Sequence, residues 1–349
     1  MSPARRTTID DIARAAGVSK ATASAALNGR SGVAAATRAR VLNAAESAGW
    51  QPSSAARALS GTRTDTLGLL LDRPARTLGA EPFYMQLISG IEAALADRGT
   101  GLLLQVVEGE DAEQRTLRAW WAARRVDGVF LCDLREDDSR IALVESLDLP
   151  AVVVGGPEGT GGVTAAWSDN TAPVRECLDY LYSLGHRRIA YVAGLPELAH
   201  TATRVAEFRR RSAELGLDGL EGDAAEGPAV LHADYSGEEG ARATRALLIR
   251  RAAPTAIVYD NDVMAVAGAA VTQEMRVPVP GRVSLVAWDD STLCGLVHPP
   301  LTALGRDVAA YGGLAARLLL DRVDGADVGD VEAAPMRLIV RGSTGPAPE

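Results

Sequence analysis

The 349-residue sequence is poor in several of the residue types that carry metal and redox chemistry. Its three cysteines, Cys132, Cys177 and Cys294, are odd in number and far apart, and none of its four histidines stands in a His/Cys cluster. That pattern excludes a disulfide framework and a zinc-type site and fits a reducing cytoplasm, so no metal or other cofactor is expected. Long apolar runs are missing: none approaches the ~20 residues that span a bilayer. The start, "MSPARRTTIDD", has no apolar stretch after its arginines, so neither a secretory signal nor a membrane partner is expected. Catalytic motifs are absent as well, with no G-x-S-x-G, no P-loop and no dinucleotide fingerprint. "GGPEGTGG" (155–162) is glycine-rich but opens no convincing phosphate-binding helix. Fold alone does not exclude an enzyme, but nothing in the chain asks for one.

Lysine is the most unevenly used residue. Of 36 basic side chains only Lys20 is a lysine, and the rest are arginine. Formal net charge is −9, yet residues 1–64 carry nine basic groups against Asp10, Asp11 and Glu46, a local charge of +6 that leaves −15 for the remainder. A basic module joined to an acidic body points to a polyanionic partner for the first part alone.

Local signals divide that basic module into three short helices. Thr8 with Asp11 three residues on forms a capping-box pattern, Ile12, Ala15 and Ala16 supply an apolar face, and Gly17 ends the first helix. Ser19 can cap a second helix over about 20–27, closed by Asn28-Gly29. A third runs from about Ala35 to Ala48 with Val41, Leu42, Ala45 and Ala48 inward, and Ala34 leaves it without a side-chain cap. Two helices joined by "AGVS" have the form of a helix-turn-helix. After Pro52, "SSAARALSG" (53–61) is a short amphipathic segment, too short to be a stable helix alone in water.

From Thr66 apolar strands alternate with amphipathic helices. Strands are predicted at 67–72, 102–107, 127–133, 151–156, 188–194, 256–260, 284–290 and 336–341, with helices between them and a late helix at 307–321. Repeated βα units imply parallel sheets covered on both faces, an α/β fold in two sets.

In this order and spacing, the segments "TIDDIARAAGVSKATASAALNG", "TRARVLNAAESAGWQPSSAARALSG", "EPFYMQLISGIEAA", "DGVFL", "LGHRRIAYVAG", "DNDVMAVAG" and "VSLVAWDD" followed by "PPLTAL" resemble the LacI-type (lactose repressor-like) bacterial transcription regulators over nearly the whole chain. The resemblance implies a helix-turn-helix head at 1–50, a hinge helix and linker at 51–64, and a two-lobed periplasmic-binding-protein-like effector domain at 65–349. Lobe 1 would comprise about 65–168 and 304–327, and lobe 2 about 169–303 and 328–349. It also implies a ligand-responsive repressor of carbohydrate-related genes that binds a pseudo-palindromic operator. The short tail has no room for a tetramerising helix, so a homodimer is expected.

The same resemblance names candidate residues. Lys20 and Ala21 would read bases in the major groove, Lys20 donating to guanine and Ala21 touching a thymine methyl. Thr8, Ser19, Thr22, Ser24 and Asn28 would set register on the backbone. Ser53, Ala56, Leu59 and Ser60 of the hinge would meet the minor groove, Leu59 as the wedge that kinks DNA; the alternative is a flexible linker. Ala25 stands where the family often has a DNA-contacting arginine, which puts the operator sequence in doubt. For the effector, Phe83, Tyr84, Cys132 and Asp133 would come from lobe 1, and Arg204, Asn261, Trp288 and Asp289 from lobe 2. Carboxylate, amide, guanidinium and aromatic rings together suit a polyol, with a sugar or sugar derivative as the expected ligand. Phe83 could instead be core and Asn261 a helix cap, while Asp290 reads as a structural turn residue. A transport-binding protein of the same lobed fold is a further alternative, opposed by the basic head.

Overall fold

The computed structural model describes residues 7–27, 31–50, 63–217 and 229–349. The chain divides into two compact units, 1–64 and 65–349.

In the first unit, α1 (Ile9–Ala16), α2 (Lys20–Leu27) and α3 (Ala35–Ser47) surround a small core. That core is mostly alanine, with Ile12, Ala13, Ala16, Ala23, Ala26, Val41 and Ala45 buried, so the helices can approach closely. Thr8 and Asp11 form the capping box, the Thr8 amide donating to Asp11 Oδ2 at 3.0 Å, and Gly17 ends α1 in the left-handed region at φ 65°. Ser19 Oγ accepts the Thr22 amide at 3.1 Å and so caps α2. Ala34 makes no side-chain cap for α3. Three expected core positions are corrected: Ala15, Leu42 and Ala48 are exposed, and Ala13 is buried in their place. Leu42 lies one residue past Val41 and so turns about 100° away from the apolar stripe.

The second unit holds two six-stranded sheets. The first comprises β1 (Thr66–Asp72), β2 (Gly101–Val107), β3 (Gly128–Cys132), β4 (Ala151–Gly155), β5 (Thr164–Trp167) and β11 (Val331–Glu332), all parallel, in the order β11-β5-β4-β3-β1-β2. The second comprises β6 (Ile189–Ala193), β7 (Val230–His232), β8 (Ala256–Tyr259), β9 (Ser284–Trp288), β10 (Thr302–Gly305) and β12 (Arg337–Ile339), in the order β12-β10-β9-β8-β6-β7. Here β12 is antiparallel to β10, an exception to the parallel sheets expected.

Helices α4 (Ala75–Leu78), α5 (Pro82–Ala96), α6 (Glu110–Ala122), α7 (Ser139–Ser146) and α13 (Val308–Val323) belong to the first lobe. The second carries α8 (Ala172–Ser183), α9 (Ala199–Glu214), α10 (Gly237–Leu248), α11 (Asp262–Glu274) and α12 (Thr292–Leu296). Apolar strands such as "LGLLL" and "AIVY" are buried on both faces, as a sheet covered by helices requires.

The final crossings differ from the expected boundaries. β10 stays with the second sheet through Gly305, and the chain then crosses to lobe 1, where α13 packs on α5. A Cβ on Gly90 would lie 1.8 Å from the Ala309 carbonyl oxygen, and one on Gly312 would lie 2.2 Å from that of Leu87, so both glycines are needed for this approach. Val331–Glu332 pair with β5, and the Ala333 amide donates to the Trp167 carbonyl at 2.7 Å. The return to lobe 2 therefore follows Ala333, rather than starting at 328.

Candidate functional site

Strand ends of both sheets face one another across a cleft that holds a cavity of about 150 Å³. In open α/β sheets ligands sit outside the carboxyl ends of the strands, which is where the charged residues of this cleft fall. Arg73 follows β1, Asp133 follows β3, Asp260 follows β8, Asp289 follows β9 and Arg306 follows β10. Asp133 (φ 52°) and Asp289 (φ 65°) both have left-handed backbones, which turn the chain sharply as the strand ends. Aspartate tolerates that conformation better than most residues, at a cost of about 1–3 kcal/mol.

On the lobe 1 side, Arg73 Nε donates to Asp133 Oδ2 at 2.9 Å, and the Tyr84 hydroxyl makes a short bond to the same oxygen. Burial alone would raise the Asp133 carboxyl, but Arg73 beside it, and His200 after that, hold it well below the usual carboxylate range. Beneath this pair, Arg140 Nη2 donates to the carbonyl oxygens of Cys132 and Asp133, both at 3.0 Å, and Nη1 to Glu113 Oε1 at 2.7 Å. A buried guanidinium thus fixes the turn that presents Asp133. The same turn touches the other lobe, where the Ala199 amide donates to the Leu134 carbonyl at 2.8 Å.

On the lobe 2 side, Arg204 is held on three sides. Its Nε donates to Asn170 Oδ1 at 2.9 Å, its Nη1 to Asp260 Oδ1 at 2.7 Å, and its guanidinium lies 3.8 Å from the Trp288 ring centroid. Asp260 also accepts from the Tyr191 hydroxyl at 2.6 Å and the Gly194 amide at 3.0 Å. Burial would raise this carboxyl too, yet Arg204, followed by His200, lowers it. His200 Nε2 lies 2.9 Å from the Tyr235 hydroxyl, and burial pushes the imidazole down to about 4, leaving it neutral near pH 7.

Four buried polar atoms at the cavity wall make no hydrogen bond among the described residues: Arg73 Nη1, Glu81 Oε2, Asp289 Oδ1 and Arg306 Nε. Burial raises the Asp289 carboxyl against the pull of Arg306 and Arg204. Arg306 lies over Phe83 and Tyr311, 5.7 and 4.6 Å from their centroids.

Six of the residues singled out from the sequence therefore meet at one cavity: Phe83, Tyr84, Cys132, Asp133, Arg204 and Asp289. Two do not line it. Asn261 caps α11, its Oδ1 accepting the Met264 amide at 2.8 Å while its amide donates to the Tyr235 carbonyl at 3.0 Å. Trp288 is buried behind Arg204 as a support. Asp290 forms a two-pronged ion pair with Arg341, both contacts at 2.7 Å, consistent with a structural role. Sequence reasoning passed over Arg73, Glu81, His200, Tyr235, Asp260 and Arg306. Only the position just beyond a strand end could have marked Arg73, Asp260 and Arg306.

In the head, Lys20 and Ala21 are exposed at the start of α2, while Thr22 and Ser24 are half-buried. Lys20 Nζ lies 2.9 Å from Asp10 Oδ2, a surface pair worth at most about 1 kcal/mol and easily exchanged for another acceptor. The Ser19 and Thr22 hydroxyls bond each other at 2.8 Å, and Thr8 is engaged in its capping box, so these three already serve the helix ends. Asn28, Ser53, Ala56, Leu59 and Ser60 lie outside the described residues.

Residues 8–53 match the family model described as bacterial regulatory proteins, lacI family, and residues 178–344 match a periplasmic binding protein-like domain. The HTH-type transcriptional regulator CelR of Thermobifida fusca is 32% identical over 342 residues, 97% of each chain. AglR of Rhizobium meliloti, also an HTH-type transcriptional regulator, is 30% identical over 351 residues, 98% of this chain and 95% of that one. Among solved structures, a CelR–cellobiose complex matches with TM-score 0.72 and 31% identity, covering 97% of this chain and 100% of that one. The lac repressor dimer bound to operator and the anti-inducer ONPF matches with TM-score 0.83 and 25% identity, covering 98% and 100%. No described helix is long and apolar enough to cross a membrane. With relatives of this kind along nearly its entire length, the chain belongs to the lacI family of bacterial regulatory proteins, and is a DNA-binding transcription regulator and not an enzyme.

Proposed function

We propose that the protein is a sugar-responsive repressor of carbohydrate-related genes, acting in the cytoplasm as a homodimer on a pseudo-palindromic operator. The observation that carries the sugar reading is the facing pair at the cavity wall: Asp289 Oδ1, an acceptor, and Arg306 Nε, a donor, neither satisfied by the protein. A polyol offers hydroxyls that donate to one and accept from the other, whereas an apolar ligand would leave both desolvated at a cost of about 1–3 kcal/mol each, more when charged. Phe83 and Tyr84, packed edge to face at 5.4 Å, supply an apolar surface of the kind that covers a sugar ring. That CelR is a relative with a cellobiose complex supports the same ligand class.

DNA reading is assigned to Lys20 and Ala21, with Thr8, Ser19, Thr22, Ser24 and Asn28 on the backbone and the 53–60 segment at the minor groove. The exposure of Lys20 and Ala21 on α2 supports the first pair. The homodimer reading draws support from β2, an edge strand whose Leu104 and Val106 are exposed, and from exposed Met85 on α5. Light scattering after gel filtration should then return twice the 36.5 kDa chain mass.

A thermal-shift screen of the full-length protein against sugars, sugar phosphates, nucleosides and purines tests the ligand class, since a ligand of the native state raises Tm. The hit should then change operator affinity in a fluorescence anisotropy titration, and operator should change the affinity for the hit by the same factor, because coupling between two sites is reciprocal. Stabilisation by a purine alone would overturn the sugar reading.

A further inference from the structure

Charge matching across the cleft leaves one buried carboxylate unaccounted for. Three of its carboxylates face a guanidinium: Asp133 with Arg73, Asp260 with Arg204, and Asp289 with Arg306. A fourth, Glu81, stands at the N-cap of α5 without capping it and shares the influence of Arg73 with Asp133. It is 7% exposed, its Oε2 has no hydrogen-bond partner, and it lines the same cavity. The groups that face it come from both lobes. Arg73, at the end of β1, already donates through Nε to Asp133; Asp133 and Asp289 are like charges; the Asn261 amide approaches from the start of α11.

We propose that Glu81 couples closure of the two lobes over the cleft to the binding of one proton. With the proton on, the carboxyl is neutral and leaves the pairs that Asp133, Asp260 and Asp289 form with their guanidiniums undisturbed. Without it, a buried carboxylate on lobe 1 repels Asp133 beside it and Asp289 across the cleft, which favours separated lobes. Burial raises the Glu81 carboxyl to about 8, against the pull of Arg73 and with the push of Asp133 and Asp289, so the change falls in the physiological range. Charge balance also sets selectivity: the protonated cleft suits an uncharged ligand and disfavours one carrying phosphate or carboxylate.

Because Glu81 binds its proton more tightly folded than unfolded, its contribution is fully present below its unfolded pKa and is lost as pH rises toward 8. In ligand-free full-length protein, the unfolding constant of wild type should rise by up to about tenfold per pH unit relative to Glu81→Gln between pH 5.5 and 7.5. Cleft opening is read independently at Cys132, which lines the cavity and is buried. Its alkylation by N-ethylmaleimide, mapped by mass spectrometry, should accelerate severalfold from pH 6.5 to 9 relative to the same thiol in Glu81→Gln. If that variant does not fold, buried Cys177 of the wild type is the internal reference. Parallel pH profiles in either measurement overturn the proposal. No ligand is added, so the outcome stands apart from the sugar reading.

Discussion

Replacing Asp260 by asparagine is the most direct test of how the cleft is held. The substitution keeps the shape but removes the charge that Arg204 faces at 2.7 Å, and both side chains are almost fully buried. Breaking a buried ion pair by removing one partner costs about 3–5 kcal/mol, because the other charge is left uncompensated. Asp260 also accepts from Tyr191, Gly194 and Tyr235, and an amide nitrogen in place of Oδ2 would confront some of those donors. At roughly 2–3 °C of Tm per kcal/mol for a unit of this size, calorimetry should show a fall of about 6–15 °C. The pH dependence carries a sign of its own. Burial would raise the Asp260 carboxyl, but Arg204, His200 and the hydrogen bond from Tyr191 together lower it, so its contribution is present above the ordinary carboxylate pKa of ~3.9 and is lost as pH falls below it. The difference in Tm between wild type and Asp260→Asn should therefore narrow below about pH 4. A shift under 2 °C at pH 7, or a difference that widens in acid, would refute the view that this pair holds the α9 side of the cleft.

Asp289→Ala should lower ligand affinity measured by calorimetry about tenfold or more, because Oδ1 makes no hydrogen bond inside the protein and is left for the ligand; unchanged affinity would remove Asp289 from the site. Lys20→Ala should weaken operator binding by about 1–3 kcal/mol and binding to random duplex far less, and equal losses would make Lys20 a phosphate contact. Leu59→Ala should likewise cost more on operator than on random duplex in anisotropy titrations, since a wedge matters only where DNA is kinked. Deleting residues 1–64 should abolish DNA binding and its steep salt dependence, and leave a body that melts cooperatively.

Legibility from sequence followed the range of the interactions. The capping box at Thr8 and Asp11, the stop at Gly17 and the apolar strands "LGLLL" and "AIVY" depend on neighbours within a few residues, and all of them appear as read. Boundaries of the crossings did not, because the packing of α13 on α5 brings Gly90 against Ala309 and Gly312 against Leu87, more than 200 positions apart in the chain.

By itself, the sequence determined the basic head and acidic body, the βα alternation and a set of candidate residues at strand ends. Hydrophobic periodicity, turn chemistry and net charge are local or additive properties, which a linear chain displays openly. Tertiary structure alone decided the partners. Arg204, expected among the ligand-binding residues of lobe 2, is clamped by Asp260, 56 positions away, and backed by Trp288. Asn261, with two readings open, caps α11, because its amide and carbonyl are consumed by Tyr235 and Met264. Glu81, His200 and Tyr235 have no local signal, since each matters only once the ends of two separate sheets face each other. A buried charge is defined by what surrounds it, and those surroundings come into being only when the two lobes meet.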